Sequence, residues 1–351
     1  FKSILQSGQL ILSKHTAEFE DKFAKYIGAR HAVALNTATT GLELLCILNG
    51  FKDRKVAVPS NTNFASVAAI IKAGGNPVYM DIDPNSFNCG LNNLRNVHKK
   101  YNITAAMFVH IGGIISSDFP EMVEYCQQNN IVFIEDCAHA HGSRLNGINA
   151  GNFGSGGAFS FFPTKVMTTM EGGMVVTNND EHAMLLKSYR NQGKRKAAYG
   201  GLHYDLGNSW RMSEISAYMG LVQLRKLDAM VQHRQNCVDI IAKELKAADI
   251  SYCSTEHMDQ ASQYKFIVKL GSKEMADTTK AKLKDVGIIC GGGVYEVPCH
   301  KQPVFSEIYF DPKELSETEA LCPQQICPPI TSGTTLEDAR YIADQIVKKV
   351  G

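Results

Sequence analysis

Ile131-Val132-Phe133-Ile134-Glu135-Asp136-Cys137-Ala138-His139-Ala140-His141-Gly142 is an apolar, β-prone run that ends in two acids. A glycine-dense passage from Gly147 to Gly157 follows, then Ala158-Phe159-Ser160-Phe161-Phe162-Pro163-Thr164-Lys165. Beyond the lysine, Thr168-Thr169-Met170-Glu171-Gly172-Gly173-Met174-Val175-Val176-Thr177 reads as a turn into another strand. An acid at the C-terminal end of one strand and a lysine just past the next is the arrangement a pyridoxal phosphate (PLP) site needs. There the lysine amine condenses with the cofactor's aldehyde and the acid pairs with the pyridinium nitrogen. Taken alone, a strand-end Asp also serves as a helix N-cap, and a lysine after Pro-Thr also serves as a solvated surface residue. Adjacent strand residues face opposite sides, so of the two acids Asp136 rather than Glu135 is expected at the site.

Working outward, His31-Ala32-Val33-Ala34-Leu35 reads as a short buried strand and Leu42 to Leu48 as an apolar helix. The small-residue turn between them, Asn36-Thr37-Ala38-Thr39-Thr40-Gly41, leads into a helix N-terminus, where free N–H groups and the helix dipole favour an anion. Threonines before a helix are equally ordinary caps. Val56 to Pro59, Pro77 to Asp83 and Ala105 to Ile111 read as strands, alternating with helices over Val67 to Ala73, 91–100 and Phe119 to Asn129. That alternation predicts an α/β fold whose sheet is mostly parallel, with helical crossovers. Sites in such sheets gather at the carboxyl ends of strands, where Asp136 and the threonine turn both fall.

After the helix His182 to Asn191 comes a polar, Gly- and Lys-rich loop, Gln192 to Gly207. Asn208-Ser209-Trp210-Arg211-Met212-Ser213-Glu214 is expected to open a long helix through Gln232. From 233 the pattern changes to helix (Cys237 to Ala248), strand (Tyr264 to Leu270), helix (Lys273 to Val286) and strand (Ile288 to Cys290). Two domains are expected, a large one over 1–232 and a smaller α/β one over 233–351. Gly291-Gly292-Gly293 lacks the helix and Lys-Ser/Thr of a P-loop and reads as a turn.

Composition narrows the function. The chain has 351 residues, a net charge of +1 and no basic block, which gives no support for nucleic-acid binding. No apolar run approaches the roughly 18 residues of a membrane span. The 10 cysteines are scattered, without the Cys-x-x-Cys pairs of a zinc site, and no metal is expected. Many thiols and no signal-peptide pattern fit a reducing cytoplasm. The chain starts at Phe1 rather than Met, so a few residues are expected to precede it.

Glu135-Asp136-Cys137-Ala138-His139-Ala140-His141-Gly142, Phe159 to Lys165 and Glu171-Gly172-Gly173-Met174-Val175 occur in the order and at the spacing of one family. Along most of its length the chain resembles the DegT-type sugar aminotransferases, PLP enzymes of fold type I. The resemblance implies that Lys165 carries the cofactor and Asp136 pairs with its ring nitrogen. It places Ala138 against one ring face and His139 near the cofactor's phenolic oxygen. Thr39, Thr40 and Ser160 are assigned to the phosphate, with Ala38 where the family's turn has Gly. Members usually carry an aromatic at the position of Asn63, stacked on the ring; this chain has Asn, with Phe64 one residue away. The family's Asn-Tyr-Arg-Met motif, whose Asn reaches the partner subunit's phosphate, matches here with Ser209 in that slot and Asn208 beside it. Val294 to Pro303 resembles the substrate-proximal segment, with His300 as its candidate. Relatives that dehydrate sugars carry His where this chain has Lys165.

The implied function is transfer of an amino group from an amino acid, glutamate being the expected donor, to a keto sugar, expected to be nucleotide-linked. The implied context is amino-sugar or surface-polysaccharide biosynthesis by a cytoplasmic homodimer with shared sites. Two other readings stand beside it. One is an aminotransferase of the same fold acting on a non-sugar ketone, for which no arginine clamp can be assigned. The other is a non-catalytic regulatory protein on this scaffold.

Overall fold

A computed structural model describes residues 1–195, 201–291 and 293–350. Part of the Gly- and Lys-rich loop (196–200), the middle of the triple-glycine turn (292) and residue 351 lie outside the described residues.

The expected strands form one 7-stranded sheet. They are β1 (His31–Leu35), β2 (Lys55–Pro59), β3 (Asn76–Met80), β4 (Ala105–Val109), β5 (Val132–Asp136), β6 (Gly157–Ser160) and β7 (Gly173–Thr177). Their spatial order is β1-β7-β6-β5-β4-β2-β3. All neighbours pair in parallel except around β7, which runs antiparallel to both β1 and β6. The helices of this part are α1 (Lys2–Ser7), α2 (Lys14–Ile27), α3 (Ala38–Leu48), α4 (Phe64–Lys72), α5 (Leu91–Tyr101), α6 (Phe119–Gln128), α7 (Asp180–Tyr189) and α8 (Glu214–Leu224).

Strand residues alternate between two cores, so both sheet faces are covered, as parallel sheets require. Phe133 joins Phe19 and Phe23 of α2, Met122 of α6 and Leu221 of α8. Its neighbour Ile134 joins Leu42 and Leu45 of α3, Val67 and Ile70 of α4 and Leu186 of α7 on the opposite face. The acids obey the same alternation. Glu135 is fully buried on the α2/α6 side, where its carboxylate accepts from the Gly151, Phe153 and Gly154 N–H groups and lies 2.9 Å from His110 Nε2. This acid therefore folds the glycine-dense passage back onto β5, and leaves Asp136 to face the site.

Helix boundaries differ downstream. The helix expected to open at Asn208 starts at Glu214, because the Ser213 hydroxyl accepts from Ser216 N and caps it there. It breaks at Arg225–Lys226, where Lys226 N–H turns to Gln223 O and takes φ −103°, ψ −6°. α9 then runs Leu227–Ala247. Its first turns (Leu227, Val231) pack with the sheet core. From Cys237 it joins a separate core with Phe266, Val268, Leu283, Ile326 and Ile342. Around that second core lie β8 (Val268–Lys269), α10 (Lys273–Lys284), β9 (Gln325–Ile326) and α12 (Leu336–Val350), while α11 (Ser316–Leu321) is held to Asp81 after β3 through Thr318. The strand expected over Tyr264 to Leu270 is only the two residues of β8, and Ile288 to Cys290 is irregular. Apolar runs of this length do not distinguish a strand from a packed loop.

Candidate active site

The carboxyl edge of the sheet holds a cavity of about 320 Å³. Of the residues singled out from sequence, Thr39, Asn63, Asp136, Ala138, His139, Ser160 and Lys165 line it together. Each comes from a strand end or the turn after it. Asp136 is the last residue of β5, Ser160 of β6, and Thr37–Thr39 follow β1 into α3. Because β7 runs antiparallel, its first residue, Gly173, lies at the same edge, paired with Ser160 and with Leu35.

Gly173 shows why the turn before β7 is glycine-rich. A Cβ there would meet the Thr37 carbonyl carbon at 2.3 Å and Ala38 N at 2.4 Å. The backbone of β7 thus passes directly beneath the N-terminus of α3, and any side chain would push that turn out of place. Thr37 is the N-cap, its hydroxyl accepting from Thr40 N at 3.2 Å. Thr40 itself is buried behind the turn, its hydroxyl 3.0 Å from Asn36 Oδ1 and 3.1 Å from Thr37 Oγ1, and it does not line the cavity. The open end of α3, with Ala38 and Thr39 lining the cavity, is the anion-binding geometry of a helix N-terminus.

Asp136 is buried at the cavity floor. One carboxylate oxygen accepts from Ser66 Oγ at 2.7 Å and the other from Ala138 N at 3.0 Å. Burial raises its pKa, against the pull of the Ser66 and Ala138 hydrogen bonds and the charge of Lys165. Lys165 follows a tight turn closed by its own N–H on Phe162 O. Burial lowers its ammonium pKa to about 8; Asp136 opposes this and Lys265 adds to it. An amine titrating there is available both as a nucleophile and as a proton carrier near neutrality.

His139 accepts from Gly112 N at Nδ1 (3.2 Å), and burial holds the ring neutral. The proton therefore sits on Nε2, 3.4 Å from Tyr295 Oη. Tyr295 lines the cavity from the C-terminal part of the chain, with a left-handed φ of 59°. The segment Val294 to Pro303 thus reaches the site through Tyr295. His300 stands elsewhere: its Nδ1 lies 2.6 Å from Ser60 Oγ in the turn after β2 and its Nε2 2.7 Å from Glu319 of α11, so both ring nitrogens are used in holding this segment in place.

Asn63 lines the cavity and caps α4 by accepting from Ala65 N. Phe64 does not take the missing aromatic's place. As the first residue of α4 it turns outward and stacks on Phe305 at 5.5 Å and 19°. Asn208 and Ser209 are exposed and outside the cavity of this chain: Asn208 Oδ1 accepts from Ser209 N, and Ser209 Oγ accepts from Arg211. Ser66, Tyr264 and Tyr295 are the contacts that reading the sequence missed. Ser66 lies three residues past Asn63 in the same turn and helix, and an acid at a strand end needing donors was its only signal. The tyrosines come from irregular segments with no periodicity to place them.

These residues fit PLP: a carboxylate for the ring nitrogen, an amine for the aldehyde and a helix N-terminus for the phosphate share one cavity of suitable size. The sequence profile of the DegT/DnrJ/EryC1/StrS aminotransferase family matches residues 1–347. The chain belongs to this family. It is a PLP-dependent aminotransferase. The GDP-perosamine synthase of Caulobacter vibrioides is 31% identical over 312 residues, spanning 87% of this chain and 82% of that protein. A Campylobacter jejuni UDP-4-amino-4,6-dideoxy-N-acetyl-beta-L-altrosamine transaminase is 34% identical over 66% of this chain and 62% of its own. The crystal structure of a DegT DnrJ EryC1 StrS aminotransferase from Brucella abortus, 24% identical, has the same fold: TM-score 0.87 over 98% of this chain and 92% of that one.

Proposed function

We propose that the enzyme moves an amino group from an amino acid, glutamate being the expected donor, to a keto sugar carried on a nucleotide. The product would serve amino-sugar or surface-polysaccharide synthesis in the cytoplasm. The observation that carries the reading is the meeting of Lys165, Asp136 and the α3 N-terminus in one cavity. The relatives above, named for GDP- and UDP-linked amino sugars, supply the substrate class. Among the described residues no arginine lines the cavity, which favours a sugar over a substrate held by its carboxylate. Retention of both Lys165 and Asp136 argues against a purely regulatory role.

When bound, PLP supplies an aldehyde for amine exchange and a ring that accepts the electrons of a cleaved C–H bond. Thr39, Ser160 and the open α3 N-terminus would hold its phosphate. Asp136, whose ionised form the Ser66 and Ala138 hydrogen bonds favour, would hold the proton on the ring nitrogen. Ala138 would leave room for the ring face, and His139 would point its Nε2–H at the cavity. In each half-reaction Lys165 Nζ would act first as base and then as acid, taking a proton from the donor's carbon in the first and delivering one to the acceptor's carbon in the second. The exposed Asn208 and Ser209 would reach a second copy's phosphate, making the working unit a homodimer. We also assign the cofactor to a large domain, 1–232, and a supporting role to a smaller one, 233–351. A panel of nucleotide-linked and free keto sugars with glutamate tests the substrate class. Amination of a nucleotide-linked sugar is expected; turnover of 2-oxo acids alone would contradict it.

A further inference from the structure

Tyr264 belongs to a segment fixed from several sides. Ser262 Oγ donates to His139 O at 2.6 Å, Ser262 N–H to Ser143 Oγ at 3.0 Å, and Lys265 N–H to Gly112 O at 3.1 Å. The approach is so close that a Cβ on Gly113 would stand 1.9 Å from Ser262 Oγ. So held, the Tyr264 ring meets three groups of the site. Lys165 Nζ lies 4.7 Å from its centroid, Lys265 Nζ 5.5 Å, and the His139 ring 4.3 Å at 32°. Its hydroxyl lies 3.1 Å from Oγ1 of Thr164, the residue before the lysine.

We propose that Tyr264 is the platform that positions the Lys165 amine, with Lys265 set against the same ring to repel it. An ammonium over an aromatic face is stabilised by the ring's quadrupole, whereas a second ammonium nearby destabilises it. Aromatic face and rival cation therefore hold the freed amine in one place while keeping its proton easy to lose. Among the described residues the other charged groups here are Asp136 at the end of β5, Glu171 on the cavity wall and Arg234, whose Nη1 donates to Gln263 O beside the Tyr264 ring at 3.3 Å. His139 and His141 are neutral, both through burial, with His141 held at about 3; Tyr295 stays un-ionised for the same reason. Among the described charged groups, Asp136 and Lys265 act on Lys165 in opposite directions.

The inference rests on Lys165 being the reactive amine, and its test measures that amine without cofactor or substrate, so it can fail while the transaminase reading stands. Competitive acetylation of the cofactor-free full chain across pH, read on the Lys165 peptide by mass spectrometry, gives the titration of that one amine. Tyr264→Leu removes the face and should move it down by about half a pH unit. Tyr264→Phe keeps the face and should leave it in place; Lys265→Met should move it up. A role in packing alone predicts the reverse for Tyr264→Leu, because water entering the gap would raise the titration towards that of free lysine. An unmoved or raised titration in Tyr264→Leu, or a Tyr264→Phe that behaves like it, overturns the assignment. So does Lys265→Met without an upward shift, a variant that leaves the Tyr264 packing whole.

Discussion

Asp136→Asn changes charge with almost no change of shape, and the structure sets what it should cost. The wild-type carboxylate accepts from two donors, Ser66 Oγ and Ala138 N. An amide can accept only through its oxygen. The backbone N–H of Ala138 cannot move, so Oδ1 stays there and the new NH₂ faces Ser66. Ser66 can adapt, since its hydroxyl also lies 2.7 Å from Thr62 Oγ1 and can turn to donate to it. The fold should therefore lose no more than about 1 kcal/mol, one exchanged hydrogen bond. Cofactor affinity should weaken modestly, because the α3 N-terminus, Thr39 and Ser160 are untouched. Turnover depends on the charge, which keeps the ring nitrogen protonated as the C–H bond breaks. Losing it should cost roughly 3–4 kcal/mol, a hundredfold or more in kcat, as for other preorganised charges. Steady-state rates at saturating PLP measure this, and a cofactor methylated at the ring nitrogen, permanently cationic, should restore part of the rate. Unchanged turnover in Asp136→Asn would mean that Asp136 only ties Ala138 and Ser66 together, and that the ring's partner lies elsewhere.

Ser66→Ala removes a donor that favours the charged form of Asp136, so this carboxyl should ionise only at higher pH. The acid limb of the kcat profile should move up by about one unit, the worth of one hydrogen bond to a charged group; a fixed limb would remove Ser66 from the site. In Gly173→Ala the new Cβ meets backbone at Thr37 and Ala38, which cannot rotate away. A loss of about 1–3 kcal/mol in stability, with weakened PLP binding, is expected from such overpacking, and denaturant melts with and without PLP check both. If Asn208 or Ser209 completes a neighbour's site, sedimentation should show at least a dimer at assay concentrations, and one of Asn208→Ala and Ser209→Ala should raise the Kd for PLP without dissociating it. A fully active monomer would contradict shared sites.

Much of this architecture was legible in the sequence because buried parallel strands are short apolar runs between helical stretches, and their ends fall where polarity changes. Asp136 and the threonine turn were found by that rule, and their convergence follows from sheet topology; Ser160 came only with the family motif. Lys165 needed the motif as well, since nothing local distinguishes it from a surface lysine. The fine placement did not follow. That Thr40 turns behind the helix while Thr39 faces the cavity depends on which hydroxyl caps α3. His300 and Tyr295 sit on one short segment, and only the packing of that segment against Ser60 and His139 decides which of them enters. Phe64 is carried outward by the first turn of α4. Tyr264 reaches Thr164, the residue before Lys165, across 100 positions of sequence, through contacts at Ser262 and Lys265 that no periodicity records. The break at Arg225–Lys226 carries no glycine or proline to mark it in the sequence.

The central claim is that Lys165 is the amine that carries the cofactor. Incubating the purified protein with PLP should give a visible absorption band, and borohydride should abolish it and fix the cofactor to the peptide containing Lys165. Lys165→Ala should fold, retain PLP non-covalently through the contacts at Thr39, Ser160 and Asp136, and take up no label on reduction. A protein that stays colourless with PLP, or a reduced label found on Lys265 or any other lysine while Lys165 is free, would contradict the account.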